Sequence, residues 1–526
     1  MRQGPAGGGS GPWPSEECVG FVDDLMAKMT VEEKLGQMLQ AVPTTATPDE
    51  AMEMGLGSVL VGGSGVPGDH TAAELAKVTS AYHVAARRSR LGIPLLFGID
   101  AVHGIGGIVG ATVFPHNIGL GATRDAKLVQ RVAAITAREA GAMGIDWTFA
   151  PVLAAARDER WGRTYESFSE EPALPSLLGA AAVRGYQGTR LGDERFSLLA
   201  CTKHFAGDGA TEYAALPYPG VPLAVIDRGD VRLSSEDFQR LAVDQYGPAI
   251  AAGVGSVMVS YSAVQGVRMT ANRELVTGVL KGEMGFRGFV VSDWESAQAI
   301  DGQPYAEQVV TAVNAGVDLL MEPNRWREAL AALQAAHRDS RLSMERIDDA
   351  VSRILGVKCE LGLWRRPDLD DAELAQVGST AHREVARQAV SKSLVLLKNE
   401  EALLPLSKTA KLRLAGTGAA NLDAQCGGWT VTWMGSGSKT KGTHLAAAFT
   451  AALGKQGSLH LCAADGNGCE GDGAQVAVVV ASEQPYAEYQ GDAVELPLQP
   501  ADVQALDRFA AEGIPTVVVL LSGRPL

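Results

Sequence analysis

Basic residues are the first shortage. Against 61 Asp and Glu stand only 46 Lys and Arg, a formal net charge of −15 over 526 residues. Phosphate backbones and anionic membranes are gripped by clusters of Lys and Arg, so neither nucleic acid nor a membrane is an expected partner. No run of 18 uninterrupted apolar residues occurs, which excludes a bilayer-spanning helix on hydropathy. The six cysteines (Cys18, Cys201, Cys359, Cys426, Cys462 and Cys469) form no CxxC pair and no Cys/His group with zinc spacing. Cys462 and Cys469 are near enough to close a small disulfide loop, and most of the six are expected as small buried apolar side chains. The nine histidines are scattered with no HExxH, and the 61 glycines give no GxxxxGK[ST] and no GxGxxG between strand and helix. Neither a metal nor a nucleotide cofactor is indicated. The glycine clusters at 62–65 and 104–107 read as tight loops.

The rest is ordinary globular composition, 46% hydrophobic and 20% charged, and the length suits one large domain with one or two smaller ones. Residues 1–17 open with a Gly/Pro-rich stretch that lacks the apolar core of a signal peptide and reads as a flexible lead-in. From 18 to 364, short apolar runs at 58–61, 95–99, 147–149, 198–202, 256–260, 289–292 and 317–321 alternate with amphipathic stretches such as 72–88, 126–142, 236–252 and 305–315. Strands alternating with helices imply parallel βαβ units, and seven or eight of them suit a (β/α)8-type barrel. Polar residues sit in register just after the runs: Asp100, Lys203-His204, Tyr261, Asp293-Trp294 and Glu322. Barrel enzymes assemble their sites at those strand ends. Residues 365–378, charged and proline-containing, read as a linker. Over 379–526 a helix at 381–391, a strand at 394–398 and runs at 412–415, 459–463, 476–481 and 516–521 predict a second α/β unit.

The candidate chemistry is carboxylates in an aromatic setting. Asp293 follows three residues of a strand-like run and precedes Trp294, a position that also suits a helix cap. Glu483 and Glu488 lie in EQPYAEYQGD (483–492), where a lone Glu usually belongs to a solvated loop. Trp429 and Trp433 occupy a Gly-flanked stretch, and exposed indoles near carboxylates suit the C–H faces of sugars. Lys203 and His204 are adjacent, so both reach one pocket only where the strand breaks its alternation.

Nine longer strings make the pattern recognisable: GIDAVHG (98–104), ATVFPHNIGLGATRD (111–125), RDERWGRTYESFSEEP (157–172), TKHFAGDGAT (202–211), VMVSYSAVQG (257–266), GFVVSDW (288–294), KNEEALLPL (398–406), CGGWTVTW (426–433) and EQPYAEYQGD. Together they resemble glycoside hydrolase family 3, on the β-glucosidase and exo-β-glucan glucohydrolase side, over about 18–526. The resemblance implies a (β/α)8-type barrel, an α/β sandwich that ends early against the family's usual length, and a sugar pocket between them, with no metal or cofactor. It implies Asp293 as nucleophile and Glu488 as acid/base, Glu483 being the alternative. It maps the pocket for the terminal sugar onto Asp100, Arg163, Lys203, His204 and Tyr261, with Met258 and Arg157 added, and matches Trp294 and Trp433 to the aromatics that grip the next sugar. Retaining hydrolysis then requires an ionised Asp293, helped by Lys203 and Arg163. It also requires a Glu488 whose pKa is raised by burial under substrate and by the Asp293 charge.

The implied partners are β-linked glucosides or oligosaccharides. The implied setting is secreted or periplasmic, although no export signal is visible. Three other readings stand beside the first. A β-N-acetylhexosaminidase is opposed by Asp208, which stands where those relatives carry a catalytic His, and a β-xylosidase by Asp100, which suits a hexose better. A degenerate sugar-binding paralogue is opposed by the presence of both carboxylates.

Overall fold

The structure, a computed structural model, describes residues 13–526 apart from 63, 64, 67, 215–224, 438 and 472. Most of the expected lead-in 1–17 lies outside the described residues, as does part of the glycine cluster at 62–65. Residues 16 and 17 already belong to a helix, Glu16–Met26, whose first turn is capped by the Ser15 hydroxyl.

Eight parallel strands form the first sheet: β1 (Leu39–Ala41), β2 (Ser58–Val61), β3 (Leu96–Ile99), β4 (Trp147–Thr148), β5 (Leu199–Phe205), β6 (Ser256–Val259), β7 (Phe289–Val291) and β8 (Leu320–Met321). Each pairs with its sequence neighbours, and β8 returns to β1 with Leu39 opposite Leu320. A parallel bridge between Val291 and Leu319 closes the barrel. Side chains alternate along every strand. Val59, Val61, Phe97, Ile99, Val257, Val259 and Val290 point outward into the core shared with the surrounding helices. Leu60, Leu96, Leu199, Met258, Phe289 and Met321 point inward and fill the barrel around Trp147 and Phe149. The barrel is thus a packed core whose upper rim alone is free for chemistry.

All seven expected runs become strands here. The eighth, β1, escapes sequence reading because it is three residues long and carries a polar centre. Gln40 points into the barrel, where its amide donates to the Ser58 hydroxyl at 2.8 Å.

A second sheet follows: β9 (Lys411–Ala415), β10 (Ser458–Leu461), β11 (Val476–Ser482) and β12 (Thr516–Leu521), all parallel, in the order β10-β9-β11-β12. Its central strand shows the same alternation. Val478 and Val480 pack towards the helix Leu445–Ala452, while Ala477 and Val479 pack against Phe509 of the helix Pro500–Ala511. Helices on both faces of a parallel sheet account for its unbroken apolar runs.

Two expectations change. The stretch 394–398 is not a strand, and Leu394, Val395, Leu396 and Leu397 are 74, 64, 66 and 83% exposed. An apolar run becomes a strand only beside a hydrogen-bonding neighbour, and no described strand runs alongside it. Four of the six cysteines are bridged: Cys462–Cys469, and Cys18–Cys359 across 341 residues. The long bridge joins the helices Glu16–Met26 and Met344–Glu360, a pairing that spacing does not reveal; Cys201 and Cys426 remain free. The charged stretch after Trp364 lies against the barrel. Arg366 is paired with the buried Asp146, and the helix Thr380–Ser393 packs Val385 and Ala389 into the outer barrel core. Among the described residues no helix is long and apolar enough to cross a membrane.

Candidate active site

The upper ends of β3, β5, β6 and β7 meet the loop that follows β11. Asp100 stands after β3, and its Oδ1 accepts a hydrogen bond from Lys203 Nζ at 3.1 Å. Burial raises the Asp100 carboxyl, and the Lys203 charge opposes that rise. Lys203 and His204 lie within β5, whose pairing with β6 shifts register between Thr202 and Phe205. Such a bulge re-aims side chains and lets adjacent residues face one pocket. His204 Nδ1 lies 2.6 Å from Asp208 Oδ2, and His204 Nε2 lies 3.4 Å from Asp293 Oδ2. The Ser260 hydroxyl donates to the other Asp208 oxygen.

Asp293 follows β7 by two residues. Its Oδ1 accepts from the Trp294 amide at 2.6 Å, and no helix starts there. The next turn, Ser296–Ala299, is entered through Glu295 at φ 51°. The neighbour of Asp293 is therefore His204, not the Lys203 and Arg163 expected beside it. Lys203 is spent on Asp100, and Arg163 is held by both oxygens of Glu166 at 2.9 Å.

Glu488 arrives from the second sheet, on the turn Glu488–Gly491. Its Oε2 accepts from Arg228 Nη2 at 2.8 Å, and its Oε1 lies 3.7 Å from Arg163 Nη1. Burial pushes the carboxyl up, but the two guanidinium groups outweigh it and hold Glu488 below the ordinary glutamate value. The rise expected under bound substrate is opposed by these two cations. The expectation counted burial and Asp293 but not Arg228. Glu483 is occupied elsewhere. Its oxygens accept from Arg524 Nε at 2.9 Å, the Ser522 hydroxyl at 2.8 Å, the Gly523 amide at 3.2 Å and the Tyr486 hydroxyl at 3.1 Å. It ties the end of β11 to the residues after β12.

Asp492, four residues after Glu488, staples this loop to the barrel. One oxygen accepts from the Gly162 amide at 2.8 Å, and the other accepts from the amides of Val225, Ile226 and Asp227 at 2.8–2.9 Å. Further along the seam, the Tyr165 hydroxyl donates to the Tyr486 carbonyl at 2.7 Å, and the Val431 amide donates to the Gly106 carbonyl at 2.7 Å.

The aromatics differ in exposure. Trp294 is 37% exposed, Trp433 is half-buried with its ring 6.0 Å from that of Tyr489, and Trp429 is buried with Lys203 Nζ 5.8 Å from its ring. Gly62 lies beneath Trp294, where a Cβ would come within 3.3 Å of the indole. Tyr261 follows β6 after Ser260, with the Arg228 guanidinium 4.0 Å from its ring centre. Met258 is 2% exposed within the barrel filling, and Arg157 turns to the surface, donating to the Glu170 carbonyl at 3.0 Å. Among the described residues no group of His, Cys, Asp and Glu has the composition of a metal site.

Sequence reading missed Asp227, Arg228 and Tyr489, and the roles of Gly62 and Asp492. Arg228 lies between the strings TKHFAGDGAT and VMVSYSAVQG, where no motif gave it a function. Asp227 accepts from Trp161 Nε1 at 3.0 Å, and burial raises it from an ordinary 3.8 to about 7, against the charges of Arg163 and Arg228. Between those values the folded carboxyl keeps a proton that the unfolded chain releases. Its contribution to stability is therefore complete below about pH 4 and is lost as the pH rises through 7. Asp227→Asn keeps an acceptor for Trp161 and removes the titration. The variant is expected to gain more thermal stability over the parent at pH 8 than at pH 5. Equal offsets at both pH values would contradict the assignment.

Comparison with known proteins converges on one description. Residues 30–357 match the glycosyl hydrolase family 3 N terminal domain, and residues 394–526 match its C-terminal domain. A lysosomal beta glucosidase of Dictyostelium discoideum is 31% identical, over 96% of this chain and 66% of that protein. A periplasmic beta-glucosidase of Salmonella typhimurium is 32% identical, over 82% of this chain and 54% of that protein. The chain thus spans between half and two thirds of the length of these relatives. Among solved structures, the exo-1,3/1,4-beta-glucanase of a Pseudoalteromonas species superposes with a TM-score of 0.90 at 37% identity, over 97% of this chain and 65% of that one. A beta-glucosidase from Listeria innocua, solved as a mutant in complex with laminaribiose, gives 0.83 at 30% identity, over 96% and 70%.

Proposed function

The chain belongs to glycosyl hydrolase family 3, and from that premise we propose that it is a retaining, exo-acting β-D-glucosidase that releases glucose from the non-reducing end of β-glucosides or β-glucan oligosaccharides. The observation that carries the reading is the meeting of two carboxylates from different sheets. Asp293 comes from the barrel rim and Glu488 from the loop after β11. The charge of each acts on the same two side chains, Arg228 and Tyr261. Two domains carry the site: a barrel over 18–364 and, beyond a linker at 365–378, an α/β sandwich over 379–526.

The terminal sugar sits among Asp100, Arg163, Lys203, His204 and Tyr261. Asp100 has oxygens for sugar hydroxyls and is oriented by Lys203. Trp294 and Trp433 stack on the next ring. Asp293 attacks the anomeric carbon as the glycosidic C–O bond breaks, and the proton of Glu488 passes to the leaving oxygen. A covalent glycosyl ester on Asp293 results. Glu488, now a carboxylate, takes a proton from water as that water attacks the anomeric carbon and Asp293 departs. Two inversions give retention. His204, held by Asp208, orients the attacking carboxylate from its Nε2 side. The names of the relatives, β-glucosidases and an exo-β-glucanase, support glucose as the sugar.

A panel of aryl β-glucoside, β-xyloside and β-N-acetylglucosaminide tests the assignment. The glucoside is expected to have the highest kcat/KM, about 10–200-fold above the xyloside that lacks the hydroxymethyl group. A faster xyloside or N-acetylglucosaminide would replace the sugar. Failure on all three would point to a binding protein.

A further inference from the structure

We propose that Arg228 is a positioning residue that holds Glu488 in its ionised state until substrate enters, and so sets the pH at which the enzyme loses its general acid. The inference rests on the reading of Glu488 as acid/base. Its basis is geometric. The Arg228 guanidinium is clamped between two rings, 4.0 Å from the centre of Tyr261 and 4.7 Å from that of Tyr489. Its Nη2 donates to Glu488 Oε2 at 2.8 Å. Both partners lie on loops pinned by the one Asp492 carboxylate, which takes the amides of Val225, Ile226 and Asp227 while lying four residues from Glu488. The Arg228 backbone adopts a left-handed φ of 64°, uncommon for a side chain other than glycine and sustained only where the surroundings enforce it.

Arg163 and Arg228 both hold the Glu488 carboxyl down, and of the two only Arg228 donates a hydrogen bond to it. Arg163 is 3.7 Å away but already carries the Glu166 carboxylate on two hydrogen bonds. His204, from β5, is engaged by Asp208 at 2.6 Å. On the acidic side, Asp227 approaches Arg228 Nε only to 3.8 Å, and burial keeps it substantially protonated at neutral pH. Asp100, Asp293, Tyr261 and Tyr165 face the same space, and Lys203 there is committed to Asp100. A carboxylate donor pair this short favours the ionised form. It serves the second half of the reaction, in which Glu488 is the base, and works against the first half, in which it is the acid. A leaving group entering beside Tyr261 and Tyr489 separates the pair and restores the proton affinity that the first half needs.

The pH dependence of kcat/KM for phenyl β-D-glucoside tests this, because its alkaline limb reports the acid in the free enzyme. Arg228→Met is expected to move that limb up by at least one pH unit. At a pH above the parent's limb the variant then gains about tenfold relative to its own optimum. Arg228→Lys is expected to return most of the shift, which a merely structural role would not do. An unmoved limb in Arg228→Met, or a limb left displaced in Arg228→Lys, would overturn the proposal. Glu488→Gln separates the two readings. If it abolishes the alkaline limb while Arg228→Met leaves that limb in place, only the inference about Arg228 fails. If Glu488→Gln keeps the limb, the acid/base reading fails and the inference with it.

Discussion

Asp293→Gly is expected to lower kcat for aryl β-glucosides by about 10⁴–10⁶-fold, the scale on which removal of a nucleophile or its partner acts in other hydrolases. Without the carboxylate no glycosyl ester forms, and the neighbouring barrel carboxylates are engaged elsewhere. Asp100 is tied to Lys203, and Glu322, whose Oε2 accepts from Tyr305, is buried. The fold is expected to survive. Asp293 caps no helix, and its contacts are His204 and the amide of the next residue. Steady-state kinetics with a thermal melt checks both halves. Near-parental turnover in a natively melting variant would remove Asp293 from the role of nucleophile.

Glu488→Ala is expected to act selectively. For phenyl β-glucoside, whose leaving oxygen needs a proton, kcat/KM is expected to fall by about 10²–10⁴-fold. For 2,4-dinitrophenyl β-glucoside, which leaves unaided, the loss in kcat/KM is expected to be much smaller. The variant also strips Arg228 and Arg163 of the anion they share, so a small anion has a charged place to bind. Azide is therefore expected to raise turnover of the activated substrate and to yield a β-glucosyl azide, since it attacks the glycosyl ester without a base. Equal losses on both substrates with no azide rescue would move the acid/base role to Glu483. Against that outcome stand the four hydrogen bonds by which Arg524, Ser522, Gly523 and Tyr486 hold Glu483.

The division of labour between chain and fold is visible in these two residues. Asp293 is legible locally, because it terminates a buried apolar run whose alternation places Phe289 and Val291 inside the barrel. Glu488 is not. The same string carries Glu483 five residues earlier, and no local property says which carboxyl turns to the barrel. Asp492 decides it by collecting amides from two barrel loops, 162 and 225–227, more than 260 positions away in sequence. The strand expected at 394–398 fails for a related reason. Its apolar run is real, but a strand is a property of a pair.

The sequence by itself determined the parallel barrel, the α/β character of the second unit, the family and the set of polar residues at the strand ends. Periodicity and contiguous motifs are local, and burial enforces them residue by residue. Only the tertiary structure decided the Cys18–Cys359 bridge, the diversion of Lys203 and Arg163 to Asp100 and Glu166, and the downward shift of the Glu488 carboxyl. Each depends on which charges and thiols the folded chain brings within a few ångströms. Coulomb attraction and hydrogen bonding in a buried pocket act over that distance, whatever the separation along the chain.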